Sequence, residues 1–232
     1  MERREFLISA LIASGAFLLN PAGLLALSPD RNSSRPWPDD WPSKHSPLIK
    51  DRKKAAVIIY TELSLKHLNE TTAHWGIGYG GGKLADKFIL SSPVTPDALY
   101  DSLAGIGLRP GNNLSMDSNG CFVSGDELDV KAAWPGLEKT LNLRDIFLDS
   151  SKKGFKIRFG GNKTAAIRYK TGCLTCLESC PIGITSNAAY PQISSLKRAI
   201  SPNSLFSGNP EVLPNKDRFP IAVIYSRIPG ID

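Results

Sequence analysis

The chain has 232 residues, of which 41% are hydrophobic and 22% charged, and it carries a formal net charge of +6. This is the composition of an ordinary globular protein, and a chain of this length can bury a core without help from disulfides or metals. The excess positive charge is spread along the chain rather than interleaved with aromatic residues in a recognisable module, which argues against nucleic-acid binding and indicates a solvated basic surface that favours acidic partners or anionic lipid headgroups.

Residues 1 to 28 have the features of a twin-arginine export signal or of a membrane anchor. The pair Arg3-Arg4 is followed by an apolar run of signal-peptide length that reaches Leu19. Ala26-Leu27-Ser28 offers small residues for cleavage, but Pro29 fits poorly after the scissile bond, so cleavage and retention as an anchor both stay open. The resemblance to this signal implies export by the twin-arginine translocase into a periplasmic or other extracytoplasmic compartment. Such a signal also fits a protein whose cofactor is inserted in the cytoplasm before export.

Residues 29 to 52 are predicted to form a proline-rich linker, and residues 53 to 232 a single folded domain. One well-marked helix begins after Thr95, a capping residue, and places Leu99, Leu103 and Ile106 on one face. The segment 137–148 is a short helix or a strand, and residues 165–169 are expected to run extended into the cysteine segment. Apolar or alternating patterns predict strands over residues 55–61, 74–79, 87–91, 126–134, 155–159 and 219–225.

These elements predict an α+β fold with mostly antiparallel strands, one helix and a cysteine-rich loop.

Three of the four cysteines, Cys173, Cys176 and Cys180, form the motif C-x2-C-x3-C, and Pro181 follows at once. This is the end of the bacterial ferredoxin run, in which thiolates from a compact loop hold an iron–sulfur cluster. The spacing therefore favours a cluster, of which the [4Fe–4S] type is the expected form. A zinc site, disulfides and redox-active thiols are the alternatives.

The fourth ligand of such a site is open, because Lys170 stands where the ferredoxin run has its first cysteine. Cys121, in a turn that enters a strand, is one candidate, and a buried free thiol is its other interpretation. A non-cysteine side chain, solvent or a partner protein are further candidates. His74 could serve as a ligand or proton shuttle, although a lone histidine is more often structural, and His67 is expected to be solvated.

The sequence contains no recognisable catalytic constellation. We find no Ser–His–acid pattern, no metalloprotease motif, no dinucleotide fingerprint and no paired carboxylates. Electron transfer is therefore favoured over catalysis.

Several short segments of the chain resemble those of the YdjY-type proteins of bacteria, over a region that extends from Lys53 to Tyr225. These segments are Gly81–Lys87, Leu108–Leu114, Trp134–Gly136, Arg158–Asn162 and the whole cysteine stretch Thr171–Pro191. The family is often described as ferredoxin-like. The resemblance implies that the three cysteines act as a set.

The sequence thus predicts an exported iron–sulfur protein, an electron carrier or carrier subunit that passes single electrons to a redox partner at the membrane or in the exported compartment. The alternative is an exported binding or structural domain in which the cysteines form disulfides or a structural zinc site. A thiol–disulfide exchanger that uses Cys173 and Cys176 is a third hypothesis.

Overall fold

The structure, a computed structural model, describes residues 39–228. The predicted export signal and the first part of the predicted linker lie outside the described residues. The end of the linker region forms a strand, Leu48–Asp51, so the folded chain begins before residue 53. No helix in the described part of the chain is long and apolar enough to cross a membrane.

Short strands dominate the described residues. The strands are β1 (Leu48–Asp51), β2 (Ala56–Leu63), β3 (Trp75–Tyr79), β4 (Leu90–Ser92), β5 (Leu128–Ala133), β6 (Leu141–Asn142), β7 (Phe147–Asp149), β8 (Ile157–Arg158), β9 (Cys173–Cys176), β10 (Thr185–Asn187), β11 (Phe206–Gly208) and β12 (Pro220–Arg227). The helices are α1 (Lys66–Asn69), α2 (Pro96–Gly105), α3 (Leu143–Ile146), α4 (Lys163–Tyr169) and α5 (Ser195–Ile200), with a 3-10 turn at Ala85–Lys87.

One large mixed sheet forms the body of the domain, in the order β6-β5-β12-β2-β4-β3-β9-β10-β8, and β1 shares one edge of β2 with β4. The pairs β3–β4 and β9–β10 are parallel, and the other pairs are antiparallel. The sheet curls, because a bridge between Glu127 and Arg158 returns β8 to the start of β5. The Phe159 amide donates to the Asp126 carbonyl there, at 2.8 Å. Strands β7 and β11 form a separate small sheet.

The predicted long elements are present and fill the core. In β2 the buried residues alternate, with Val57, Ile59 and Leu63 facing inward, as a half-buried strand requires. The Thr95 hydroxyl caps α2 by accepting from the Ala98 amide at 3.4 Å. Leu99 and Leu103 on α2 are buried in the main hydrophobic core.

The predicted fold class, α+β with mostly antiparallel strands, is wrong. The domain is mostly β, with a curled mixed sheet and short helices. Residues 165–169, expected to be extended, lie in α4, and the expected cysteine loop contains β9 in the middle of the sheet order. Strands of two to four residues show no readable periodicity, and parallel pairing depends on contacts that are distant in sequence.

Candidate metal centre

Cys173 and Cys176 lie at the two ends of β9, between β3 and β10. In a regular strand, residues three apart point to opposite faces of the sheet. The pairing of β9 with β3 is irregular, however, because Gly78 faces Cys173 while Ile77 faces Thr175, which leaves one extra residue on β9 between them. A bulge of this kind re-aims side chains, and here it allows both thiols to reach the same apolar cluster.

Cys180 lies in the turn between β9 and β10. The Asn162 side-chain amide donates to the Cys180 carbonyl at 3.1 Å, and the Gly183 amide donates to the Cys180 Sγ at 3.4 Å. Gly183 also allows close approach, since a Cβ atom there would lie 3.0 Å from the Cys176 Sγ. The backbone of this turn therefore both positions and hydrogen bonds the sulfur atoms.

His74 precedes β3 and completes the group. One of its ring nitrogens and the Sγ atoms of Cys176 and Cys180 all lie within 4.8 Å of one another. The Leu177 amide donates to the His74 carbonyl at 2.7 Å, so the backbone ties this histidine to the end of β9. The ring is buried, and within residues 39–228 its Nδ1 has no hydrogen-bond partner.

Cys173 is the third thiol of the region, but it is not one of the three residues whose ligand atoms all lie within 4.8 Å of one another. It shares an apolar cluster with Cys176, Cys180 and the ring of Phe88, and all three thiols are buried. The Thr171 hydroxyl donates to the Cys173 Sγ at 3.4 Å. All four cysteines of the chain lie within the described residues, and each is a free thiol rather than half of a disulfide.

The three thiols and His74 control one another's protonation. Hydrogen bonds from Cys173 and Cys176, reinforced by His74, hold the pKa of Cys180 well below its usual range despite burial. Hydrogen bonds with Cys173 and Cys180, together with burial, raise the pKa of Cys176 far above its usual range. The hydrogen bond with Cys176 lowers the pKa of Cys173, but the bond with Cys180 and burial outweigh it and raise that pKa. Burial lowers the pKa of His74, although Cys180 acts against the shift.

A buried ion pair lies beside this group. Arg198 on α5 donates from Nε to Glu178 Oε2 at 3.2 Å, and Glu178, between Cys176 and Cys180 in sequence, is fully buried. Burial raises the pKa of Glu178 to about 7, although Arg198 acts against the shift. A cavity of about 620 Å³ adjoins the pair, and His74, Cys173 and Cys180 form part of its wall.

The structure thus brings Cys173, Cys176 and Cys180 together, as the motif predicts. Cys121 is exposed, and among the described residues it is not part of the converging group. His74 is the residue that joins the thiols instead. His67, expected to be solvated, is buried, and its ring nitrogens lie 3.3–3.4 Å from backbone carbonyl oxygens.

Nothing in the sequence singles out Glu178 or Arg198. Both are ordinary charged residues in their local segments, and their pairing depends on how α5 packs against the cysteine turn. The sequence alone leaves the role of His74 open. Its position next to the thiols follows from the register of β3 on β9, which sets the neighbouring Trp75 opposite Cys176.

The comparisons with known proteins agree with the resemblance seen in the sequence. The YdjY domain family matches residues 48–226. The uncharacterized protein YdjY of Escherichia coli (strain K12) is 36% identical over 198 residues, which cover 85% of this chain and 86% of that protein. No solved structure matches the chain. The chain belongs to the YdjY family.

Proposed function

We propose that this YdjY-family protein is an exported metalloprotein in which Cys173, Cys176, Cys180 and His74 bind one metal ion. The observation that carries the proposal is the convergence of a His74 nitrogen and the sulfur atoms of Cys176 and Cys180 within 4.8 Å. A buried imidazole nitrogen without a protein partner in the described chain is a further reason, because a metal would satisfy it. Export rests on the Arg3-Arg4 signal.

The spacing of the ligand atoms of His74, Cys176 and Cys180 favours a single ion over a cluster. A tetrahedral zinc site with bonds of about 2.0–2.3 Å holds its ligand atoms roughly 3.4–3.8 Å apart. In a [4Fe–4S] cluster each thiolate binds a different iron, so the sulfur ligands lie farther apart. Three cysteines and one histidine are a common ligand set of structural zinc sites, and the same set suits other ions that prefer soft ligands.

A bound ion would cross-link three parts of the fold. His74 precedes β3, Cys173 and Cys176 lie on β9, and Cys180 lies in the turn that leads to β10. Because metal binding to such a site contributes directly to folding free energy, the ion would stabilise this part of the sheet and the wall of the adjoining cavity.

An iron–sulfur electron carrier is the second candidate. The ferredoxin-like motif favours it, and the cavity beside Cys173 and Cys180 offers room for a group larger than one ion. The hydrogen bond from the Gly183 amide to Cys180 Sγ is of the kind that tunes the potential of a cluster. In this case a redox partner in the exported compartment or at the membrane would receive single electrons.

Metal and sulfide analysis of the full-length protein, purified without oxygen, tests the proposal. We expect one metal ion per chain and no acid-labile sulfide. Cys176→Ser and His74→Ala should each lower the metal content at least tenfold after dialysis against a chelator, since each removes one ligand of a closed site.

Cys121→Ser is the matched control, because it removes a thiol that is exposed and outside the converging group, and it should keep the metal. Iron with a similar amount of sulfide would instead establish the cluster. A metal-free protein whose thiols are oxidised in pairs would rule out both candidates.

A further inference from the structure

Ser186 carries a buried hydroxyl group beside the candidate metal centre. Its side chain is fully buried on β10, and among the residues that the structure describes its Oγ atom has no hydrogen-bond partner. A hydroxyl group that is buried without a partner costs stability, and native proteins contain few such groups. The position of this one next to a thiol gives it a role.

The register of the sheet places this hydroxyl group next to Cys176. Strands β9 and β10 are parallel, and Ser186 on β10 is the direct partner of Cys176 on β9. Direct partners on neighbouring strands project their side chains from the same face of the sheet, and the strands lie about 4.8 Å apart. The contacts of Gly183 agree, because a Cβ atom there would lie 2.9 Å from Ser186 Oγ and 3.0 Å from Cys176 Sγ. The oxygen and the sulfur therefore adjoin the same point of the structure.

The other two sulfur atoms already accept hydrogen bonds from neighbouring groups of the chain. Cys173 Sγ accepts from the Thr171 hydroxyl and Cys180 Sγ from the Gly183 amide, each at 3.4 Å. Cysteines bind metals as thiolates, and donors next to such ligands fix their orientation and balance their charge. A thiolate is also a better acceptor than a thiol, because hydrogen bonds to ionised groups are about twice as strong as neutral ones.

We propose that the Ser186 hydroxyl donates to the Cys176 thiolate when a metal is bound, and that Ser186 is a positioning residue for this ligand. The inference rests on the proposed function, and it holds for any metal that Cys176 binds. Without a metal, the thiol is a weak acceptor, and the buried hydroxyl group costs stability. Ser186 should therefore strengthen metal binding without stabilising the metal-free fold.

Cobalt(II) binding tests this inference, with the full-length protein purified without oxygen and freed of metal by a chelator. The thiolate-to-cobalt charge-transfer absorption reports the electron density on sulfur, which a hydrogen bond lowers. We expect Ser186→Ala to raise the Kd of cobalt about tenfold and to move this absorption to longer wavelength, because the Cys176 thiolate has lost its donor. The melting temperature of the metal-free Ser186→Ala protein should be unchanged or higher, since the variant removes a buried group without a partner in the described chain.

Thr185→Val is the matched control. Thr185 precedes Ser186 on β10, so its side chain projects from the opposite face of the sheet. Its buried Oγ1 atom lies 3.1 Å from the Leu174 carbonyl oxygen and 2.8 Å from Thr175 Oγ1. Because this hydroxyl group has partners within the fold, Thr185→Val should lower the melting temperature of the metal-free protein and leave the charge-transfer absorption as in the parent.

The outcomes separate this inference from the proposed function. A parent protein that binds no cobalt would remove the metal site and the role of Ser186 together. If the parent binds cobalt, an unchanged absorption and affinity of Ser186→Ala would overturn the inference alone. A lower melting temperature of the metal-free Ser186→Ala protein would also overturn it, because the hydroxyl group would then serve the fold rather than the metal centre.

Discussion

Gly183 shows how tightly individual residues are packed at the candidate metal centre. A Cβ atom at this position would lie 2.9 Å from Ser186 Oγ and 3.0 Å from both Cys176 Sγ and the Thr185 carbonyl oxygen. Such distances are shorter than ordinary van der Waals contacts, so any side chain here must displace the Cys176 sulfur or the start of β10.

We therefore expect Gly183→Ala to destabilise the protein by about 1–3 kcal/mol and to weaken metal retention. Thermal unfolding and metal content after dialysis are the measurements. Gly105→Ala is the control, because a Cβ at this end of α2 would meet only the flexible Lys50 side chain at 3.0 Å, and alanine favours a helix. A Gly183→Ala protein with unchanged melting temperature and metal content would contradict this account of the site.

Residue types alone pointed to part of the candidate site. The three clustered cysteines are visible as a motif, because their spacing is local. The sequence does not show whether Cys121 or His74 lies beside these cysteines, because that depends on which strand pairs with β9. The structure pairs β3 with β9, and that register brings His74 to the thiols while Cys121 stays exposed.

At the scale of elements, Asp149 connects segments that surround the site. It lies at the end of β7, and its Oδ1 accepts from the Tyr190 hydroxyl at 2.6 Å and from the Ser204 hydroxyl at 2.7 Å. Its Oδ2 accepts from the Gly154 amide at 2.9 Å. Tyr190 lies near the end of the cysteine stretch Thr171–Pro191 and Ser204 precedes β11, so one carboxylate holds three loops together.

Asp149→Asn should cost about 1–2 kcal/mol of stability at pH 7, because the amide replaces an acceptor with a donor that faces other donors. Desolvation acts to raise the pKa of Asp149, but the hydrogen bonds from Tyr190 and Ser204 outweigh it and lower this pKa. The folded-state pKa is thus below the unfolded one, and the stabilisation is present above the unfolded pKa and lost as the pH falls.

Urea unfolding of both proteins between pH 7 and pH 3 measures this difference. We expect the parent to lose its advantage as the pH falls below about 4. An advantage that is the same at pH 3 and pH 7 would show that the carboxylate charge is not what matters.

The longer elements were predicted correctly, whereas several of the short ones were not. Strand β2 has eight residues and α2 has ten, and each shows its period in the pattern of buried residues. By contrast, β10 has three residues in a segment expected to be a loop, and α4 has seven residues, of which only Ala166 is buried, in a segment expected to be extended. Such segments take their conformation from tertiary contacts, which local sequence does not encode.

At the scale of the whole molecule, the curled sheet is closed by side chains as well as by backbone. Arg158 Nη2 lies 3.1 Å from Glu127 Oε2, and Arg158 Nη1 donates to the Gly125 carbonyl at 2.9 Å. Lys156 also pairs with Glu127, at 3.4 Å, but its side chain is more exposed.

We expect Arg158→Met to destabilise the fold by about 1–2 kcal/mol and to increase hydrogen exchange at the Phe159 amide, which bonds across the closure. Lys156→Met, the matched control, should cost less than about 0.5 kcal/mol because exposed ion pairs contribute little. Equal effects of the two variants would show that Arg158 does not hold the sheet closed.

The position of β12 also constrains when the protein can fold. This last strand lies between β2 and β5, and the Thr61 hydroxyl donates to the Ile221 carbonyl across 160 positions of sequence at 2.7 Å. During synthesis β2 and β5 are made before β12, and each has an open edge until β12 emerges. The sheet can therefore be completed only after β12 has been made, and the waiting edges are where a nascent chain of this family would need protection from aggregation.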